Sequence, residues 1–128
     1  MAKTNPRSKL VVLIVDDNEL FTERMIGLLE NVSNIGYINV ATDYNEGWRL
    51  VAEDHPDLVL LDINLPGKNG IELLKKIKAQ EKTSRVIMIT NHADKYYRQL
   101  CQQIGADHFL DKSCDFAKVP EIIRQINN

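Results

Sequence analysis

The fold is decided by an apolar run that ends in two acidic residues, Leu10-Val11-Val12-Leu13-Ile14-Val15-Asp16-Asp17. Every position from 10 to 15 is apolar, which is typical of a strand buried on both faces of a parallel sheet. A second run, Leu58-Val59-Leu60-Leu61, ends in Asp62. The carboxyl ends of parallel strands meet at one edge of the sheet, where ligands bind. We therefore expect the three carboxylates to lie close together.

Two further runs lead other polar groups to the same edge. Val86-Ile87-Met88-Ile89 ends in Thr90, and the short Phe109-Leu110 runs into Asp111 and Lys112. Carboxylates that lie close repel each other and need a cation between them. Carboxylates, a hydroxyl and an ammonium at one place favour a Mg²⁺-assisted transfer of a phosphoryl group onto an aspartate.

Runs of strand length alternate with segments of helical period along the whole chain, which predicts βαβ units and a parallel sheet. Strands are expected at 10–15, 36–41, 58–61, 86–89 and 106–110. Helices are expected at 19–32, 45–53, 71–79, 94–104 and 116–126. No linker or repeat remains between these segments, so we expect one domain over 9–128 after a flexible tail at 1–8.

Composition narrows the functional class. The 128 residues are 44% hydrophobic and 27% charged, as in soluble globular proteins. The net charge of −2 gives no electrostatic footprint for direct nucleic-acid binding. Apolar stretches of at most six residues are too short to span a membrane, and Met1 to Lys9 lacks the apolar core of a signal peptide. The expectation is a cytoplasmic protein whose two cysteines are reduced.

Four short motifs occur in order, at 14–17, 61–70, 89–90 and 110–113. They read Ile-Val-Asp-Asp, Leu-Asp-Ile-Asn-Leu-Pro-Gly-Lys-Asn-Gly, Ile-Thr and Leu-Asp-Lys-Ser. Together they resemble the receiver domain of two-component response regulators, of the single-domain chemotaxis-regulator type. The resemblance covers roughly Lys9 to Ile126. It implies a flavodoxin-like, doubly wound α/β fold, with a five-stranded parallel sheet of order 2-1-3-4-5 and five flanking helices.

The resemblance assigns chemical roles to four residues. Asp62 would be the phosphoacceptor, and Thr90 and Lys112 would each contact a phosphoryl oxygen. Phe109 would be the switch aromatic, which turns inward when Thr90 moves toward the phosphoryl group. The plain alternative for Phe109 is a core aromatic, and its ring lacks the hydroxyl of a tyrosine.

A magnesium site is also implied by the resemblance. Asp17, Asp62 and the backbone carbonyl of Asn64 would bind Mg²⁺ directly, and Asp16 would act through water. Asn64 and His92 would affect how long the phosphoryl group survives. Asn91 departs from the small residue that is usual after the threonine, so it would affect access to the acceptor.

Partners follow from the resemblance. The phosphoryl donor would be a sensor histidine kinase or a histidine phosphotransfer protein, and a downstream protein would bind the surface of the fourth helix, fifth strand and fifth helix. On the fourth helix, Tyr96 and Arg98 are the contact candidates. The protein would be a monomer or a phosphorylation-dependent dimer. The remaining apolar positions of this helix are expected in the core: Tyr97, Leu100, Cys101 and Ile104.

Other functions of such a fold are disfavoured. A dehalogenase-type phosphatase needs a second aspartate two residues after the nucleophile, where this chain has Asn64. The acidic stretch 16–19 would repel a flavin phosphate, and no G-x-G-x-x-G is present. We therefore expect no enzyme for outside substrates. The open alternative is a receiver cut from a longer regulator with a DNA-binding output domain, although the chain end favours a stand-alone protein.

Overall fold

A computed structural model describes residues 9–126, which form a parallel sheet of order β2-β1-β3-β4-β5. The strands are β1 (Leu10–Val15), β2 (Ile35–Ala41), β3 (Leu58–Leu61), β4 (Arg85–Thr90) and β5 (His108–Asp111). The predicted fold class and strand order are confirmed. The tail predicted at 1–8 and the last two positions of the predicted domain lie outside the described residues.

Five helices connect or follow the strands. They are α1 (Glu19–Leu29), α2 (Tyr44–Asp54), α3 (Gly70–Gln80), α4 (Lys95–Ile104) and α5 (Val119–Arg124). The first four begin after a side chain that accepts a hydrogen bond from the backbone N–H three residues on, which fixes where each helix starts: Asn18, Asp43, Asn69 and Asp94. Within 9–126, no helix is both long enough and apolar enough to cross a membrane.

The boundaries that differ most from the prediction lie in α5, β5 and α1. The fifth helix starts at Val119 rather than at 116, because a 3₁₀ turn over Phe116–Lys118 precedes it and Pro120 fits only the first helical turn. The fifth strand starts at 108, because the N–H of Ala106 still bonds to the Cys101 carbonyl at the end of α4. Helix α1 ends at 29, before the predicted residue 32.

The sheet has a separate apolar core on each face. Helices α2, α3 and α4 cover one face, and α1 and α5 cover the other. Alternate residues of β1 divide between the two cores, with Leu13 and Val15 on the first face and Val12 and Ile14 on the second. Because β1 is packed on both sides, its carboxyl end holds the following polar residues at a fixed position.

Candidate functional site

The carboxyl ends of four neighbouring strands form the candidate site. Val15 at the end of β1 pairs with Leu61 at the end of β3, and Thr90 on β4 pairs with Asp111 on β5. Asp16 and Asp62 directly follow β1 and β3, and both are buried. The sheet therefore brings together the side chains that the sequence placed at this edge.

Asp62 is held from both sides of its carboxylate. Its Oδ1 accepts a hydrogen bond from the Ile63 N–H at 2.8 Å, and its Oδ2 accepts one from Lys112 Nζ at 3.2 Å. Its own N–H donates to the Val15 carbonyl at 3.1 Å, so the backbone is tied to β1 as well. The side chain is only 8% exposed. The carboxylate is therefore oriented by two hydrogen bonds, and a third bond fixes its backbone to β1.

Asp16 is a buried carboxylate with incomplete hydrogen bonding. Its Oδ1 accepts the Asn18 N–H at 2.8 Å, while its Oδ2 lies 2.8 Å from Lys112 Nζ. That ion pair lacks hydrogen-bond geometry, and Oδ2 has no other polar partner among the described residues. Burial raises the pKa of Asp16, and the charge on Asp62 raises it further, against the opposing effects of Lys112 and Asn18.

Lys112 is the positive charge between these two carboxylates. Burial by itself lowers the pKa of Lys112, but the close contact with Asp16 and the charges of Asp62 and Asp16 outweigh it, so the pKa is raised. The ammonium is therefore charged in the folded protein. One ammonium therefore faces two buried carboxyl groups.

The residues of this edge fit a magnesium ion. Asp17 is exposed beside the two buried carboxylates. It lines an open depression together with Asn64, Leu65, Pro66, Gly67 and Asn69. Within the described ranges, no group of three or more His, Cys, Asp or Glu side chains is arranged to hold a metal ion by itself. Magnesium needs only one or two carboxylates, because waters complete its octahedron, and Asp16 Oδ2, which accepts no hydrogen bond from the described residues, adds an oxygen ligand nearby.

Thr90 and Phe109 lie behind the carboxylates. Thr90 is fully buried, and its Oγ1 accepts the His92 N–H at 3.1 Å. Phe109 is also buried, and Arg98 donates to its carbonyl at 3.0 Å while the guanidinium lies 5.0 Å from its ring centroid. Arg98, one of the two predicted partner contacts, is therefore half-buried and engaged with β5. Tyr96 matches that role better, because it is 68% exposed.

Asn64 and His92, which are both expected to affect the lifetime of the phosphoryl group, contact each other. The Asn64 side-chain amide contacts Nε2 of His92, and both residues are exposed, as is Asn91. The two partners are 28 residues apart, so nothing in the local sequence indicated that they touch. The predicted core residues of α4 divide into buried Cys101 and partly buried packing partners: Tyr97, Leu100 and Ile104.

Two residues of the site were not identified from the sequence. Gly70 was predicted only as a loop residue, yet a Cβ built on it would lie 1.8 Å from the Asp62 carbonyl oxygen. Its N–H donates to the Ile63 carbonyl at 2.7 Å, which brings α3 against the end of β3.

Phe21 has its ring centroid 4.5 Å from Lys112 Nζ. The only sequence signal for Phe21 is an aromatic residue in the first turn after the acidic pair.

The response regulator receiver domain family model matches residues 12–124. The chain belongs to this family. The receiver domain is 33% identical over 115 residues to the transcriptional regulatory protein LiaR of Bacillus subtilis (strain 168), covering 88% of this chain and 54% of LiaR. It is 32% identical over 107 residues to the transcriptional regulatory protein MalR of the same organism, covering 84% of this chain and 46% of MalR.

Solved structures agree with this assignment. A CheY-like response regulator receiver domain protein from Methanospirillum hungatei JF-1 superposes with a TM-score of 0.82 at 28% identity, over 92% of this chain and 93% of that one. The receiver domain spans about half the length of LiaR and MalR. The four motifs of the sequence thus indicated the correct family.

Proposed function

We propose that this receiver domain is a phosphoacceptor of a two-component phosphorelay, in which Asp62 takes a phosphoryl group from a sensor histidine kinase or a histidine phosphotransfer protein. The observation that carries the proposal is the environment of Asp62. Its carboxylate lies at the end of β3, between the Ile63 N–H and the ammonium of Lys112. This arrangement orients an oxygen nucleophile beside a positive charge, as transfer of a phosphoryl group requires.

The transfer is a displacement at phosphorus. An oxygen of Asp62 forms a bond to phosphorus, the bond from phosphorus to the donor's imidazole nitrogen breaks, and the imidazole leaves with the electron pair and takes up a proton. Lys112 neutralises negative charge on one phosphoryl oxygen. The Thr90 hydroxyl accepts the His92 N–H, which leaves its own proton free to donate to another.

Magnesium would be held by Asp17, Asp62 and the backbone carbonyl of Asn64, with Asp16 in support. When bound, the ion supplies positive charge beside the transferring phosphoryl group. The donor set supports this assignment, because its ligands are hard oxygen atoms and Lys112 alone leaves the buried carboxylates under-neutralised.

Phosphorylation would change the surface of α4, β5 and α5. The phosphoryl group would add negative charge and new acceptor oxygens next to Lys112 and Thr90. These new contacts would favour a different arrangement of the residues that pack behind Lys112 and Thr90. Phe109 lies on β5 behind this edge, and Arg98 connects its carbonyl and ring to α4. A partner protein, or a second phosphorylated copy, would bind this surface and contact the exposed ring of Tyr96.

The receiver domain would act in the cytoplasm and catalyse only its own phosphorylation and dephosphorylation. Asn64 lies where a phosphatase of outside substrates needs an aspartate as general acid, and an amide does not serve in that role. A second function is favoured by the names and lengths of LiaR and MalR, which are transcriptional regulatory proteins. In that case the receiver domain would control a DNA-binding output domain in the same polypeptide.

The test is the intact mass of the protein after incubation with Mg²⁺ and a small acyl phosphate. We expect one phosphoryl adduct on the wild type, and none on Asp62→Asn or after addition of a chelator. Asp57→Asn is the matched control, because it changes an aspartate that caps the opposite edge of the sheet and should leave the adduct unchanged. An adduct that persists in Asp62→Asn would refute the assignment of the acceptor.

A further inference from the structure

We propose that Phe21 is a positioning residue for Lys112, and that its aromatic ring holds the ammonium over Asp16 and Asp62. The inference rests on the proposed phosphorylation of Asp62. Its starting observation is the distance of 4.5 Å between Lys112 Nζ and the Phe21 ring centroid. A cation within about 6 Å of an aromatic face is attracted by the ring quadrupole, and the attraction grows when the pair is desolvated.

The ammonium of Lys112 is enclosed by three groups. Its side chain is 9% exposed, and its polar partners among residues 9–126 are Asp16 Oδ2 at 2.8 Å and Asp62 Oδ2 at 3.2 Å. Lysine has three N–H donors on a flexible four-carbon stem, so two carboxylates alone do not fix its head. The face of Phe21 supplies the third contact, and it does so without adding a group that competes for the phosphoryl oxygens.

The contacts form a closed loop that includes Phe21. The Asp16 Oδ1 accepts the Asn18 N–H, and the Asn18 Oδ1 accepts the Phe21 N–H at 3.0 Å. The Phe21 ring contacts Lys112 Nζ, which returns to Asp16 Oδ2. The start of α1 therefore ties the ring to the same carboxylate that the ammonium pairs with.

The Phe21 ring is itself supported from the other side. Phe116 meets it edge to face, with the ring centroids 5.7 Å apart at an interplanar angle of 76°. This arrangement is favourable for two aromatic rings, but Phe21 is also buried in the apolar core of this face, so its position does not depend on Phe116 alone. Phe116 is not among the groups that contact the ammonium, so a change there alters the packing of Phe21 without removing its ring from Lys112.

The first test separates ring charge from ring volume. Phenylalanine analogues with one, two or three ring fluorines, incorporated site-specifically at position 21, weaken the quadrupole while nearly preserving shape. With Mg²⁺ and a small acyl phosphate, we expect the rate of adduct formation to fall stepwise with fluorination, and Phe21→Leu to lower it about threefold to tenfold. Phe116→Leu is the matched control and should stay within about twofold of the wild type.

Dependence on Lys112 is tested in a double-mutant cycle. Phe21→Leu combined with Lys112→Gln should be no slower than Lys112→Gln alone, because the ring then has no cation to hold. A rate that is unaffected by fluorination, or an equal loss in both backgrounds, would overturn the proposal and leave Phe21 as a packing residue.

The second test needs no phosphorylation. The ring current of Phe21 should shift the NMR signal of the Lys112 ε-methylene upfield in the wild type, and the shift should vanish in Phe21→Leu but persist in Phe116→Leu. A wild-type signal at the ordinary lysine position would overturn the proposed contact. If the wild type forms no phosphoryl adduct, the function proposed above fails, and this spectrum still decides whether Phe21 positions Lys112.

Discussion

The two edges of the sheet differ in how far their acidic side chains are buried, because Asp57 and Asp107 at the amino edge are exposed and Asp16 and Asp62 at the carboxyl edge are buried. At the amino edge, each acidic side chain completes a turn: Asp57 Oδ2 accepts the Val11 N–H at 2.8 Å, and Asp107 Oδ2 accepts the Val86 N–H at 2.8 Å. Lys78 adds an ion pair to Asp107 at 2.9 Å. These exposed carboxylates accept backbone N–H bonds while staying in contact with solvent, so this edge stabilises the fold without burying a charge.

The carboxyl edge is under-neutralised by comparison. Asp16 and Asp62 are both buried, and they share the single ammonium of Lys112. Burial raises the pKa of Asp16, because a buried carboxylate loses the solvation that stabilises its charged form. The difference indicates that stability is given up at this edge, where a cation and a phosphoryl group would complete the charge balance.

Among the variants of the carboxyl edge, Lys112→Met should change the free energy of unfolding most. It leaves two buried carboxylates without a cation, so we expect a loss of about 4 kcal/mol in the free energy of unfolding at neutral pH, measured by urea denaturation. The phosphoryl adduct should also form much more slowly in the intact-mass assay.

Asp107→Asn is the control for Lys112→Met at the other edge. It weakens the bonds to Val86 and Lys78 and should cost about 1 kcal/mol, with adduct formation unchanged. If Lys112→Met were no less stable than Asp107→Asn, the carboxyl edge would not carry the excess charge that distinguishes the two edges.

A second, smaller effect is expected from Gly70→Ala, which crowds the backbone of the carboxyl edge. The added Cβ would lie 1.8 Å from the Asp62 carbonyl oxygen, so the loop or α3 must move. We expect a loss of about 3 kcal/mol in the free energy of unfolding, together with slower adduct formation because Asp62 is displaced.

Gly27→Ala provides the matched glycine control. A Cβ at this exposed position of α1 meets nothing within 4 Å, so the substitution should raise the free energy of unfolding by about 0.5 to 1 kcal/mol and leave phosphorylation unchanged. Equal behaviour of the two alanine variants would show that close packing beneath Asp62 is unimportant.

The sequence predicted the parts of the site that depend on topology. Apolar runs in parallel order determine which residues follow each strand, so Asp16, Asp62 and Lys112 were placed at one edge without coordinates. Contacts between long side chains of distant segments were not predictable. The pairs Phe21–Lys112, Asn64–His92 and Arg98–Phe109 depend on side-chain rotamers and on how helices pack on the sheet, and neither leaves a periodic signal in the sequence.

Asp16→Asn is the variant of the carboxyl edge with the smallest expected effect. It tests directly whether the buried carboxylates carry more negative charge than Lys112 neutralises. The amide oxygen still accepts the Asn18 N–H, while the buried negative charge is removed. We expect the free energy of unfolding to rise by about 1 kcal/mol at neutral pH, at the expense of slower phosphorylation.

The pH dependence of the free energy of unfolding tests whether the buried charge of Asp16 destabilises the folded protein. Because the pKa of Asp16 is raised in the folded protein, the folded state binds that proton more tightly than the unfolded state. Wild-type stability relative to Asp16→Asn should therefore fall as pH rises from the ordinary carboxyl value of 3.8 through the raised one, and then stay constant. Urea denaturation across this range measures the difference. If Asp16→Asn were less stable than the wild type at neutral pH, the ion pair between Asp16 and Lys112 would outweigh the cost of burying the carboxylate. The carboxyl edge would then be as well neutralised as the amino edge.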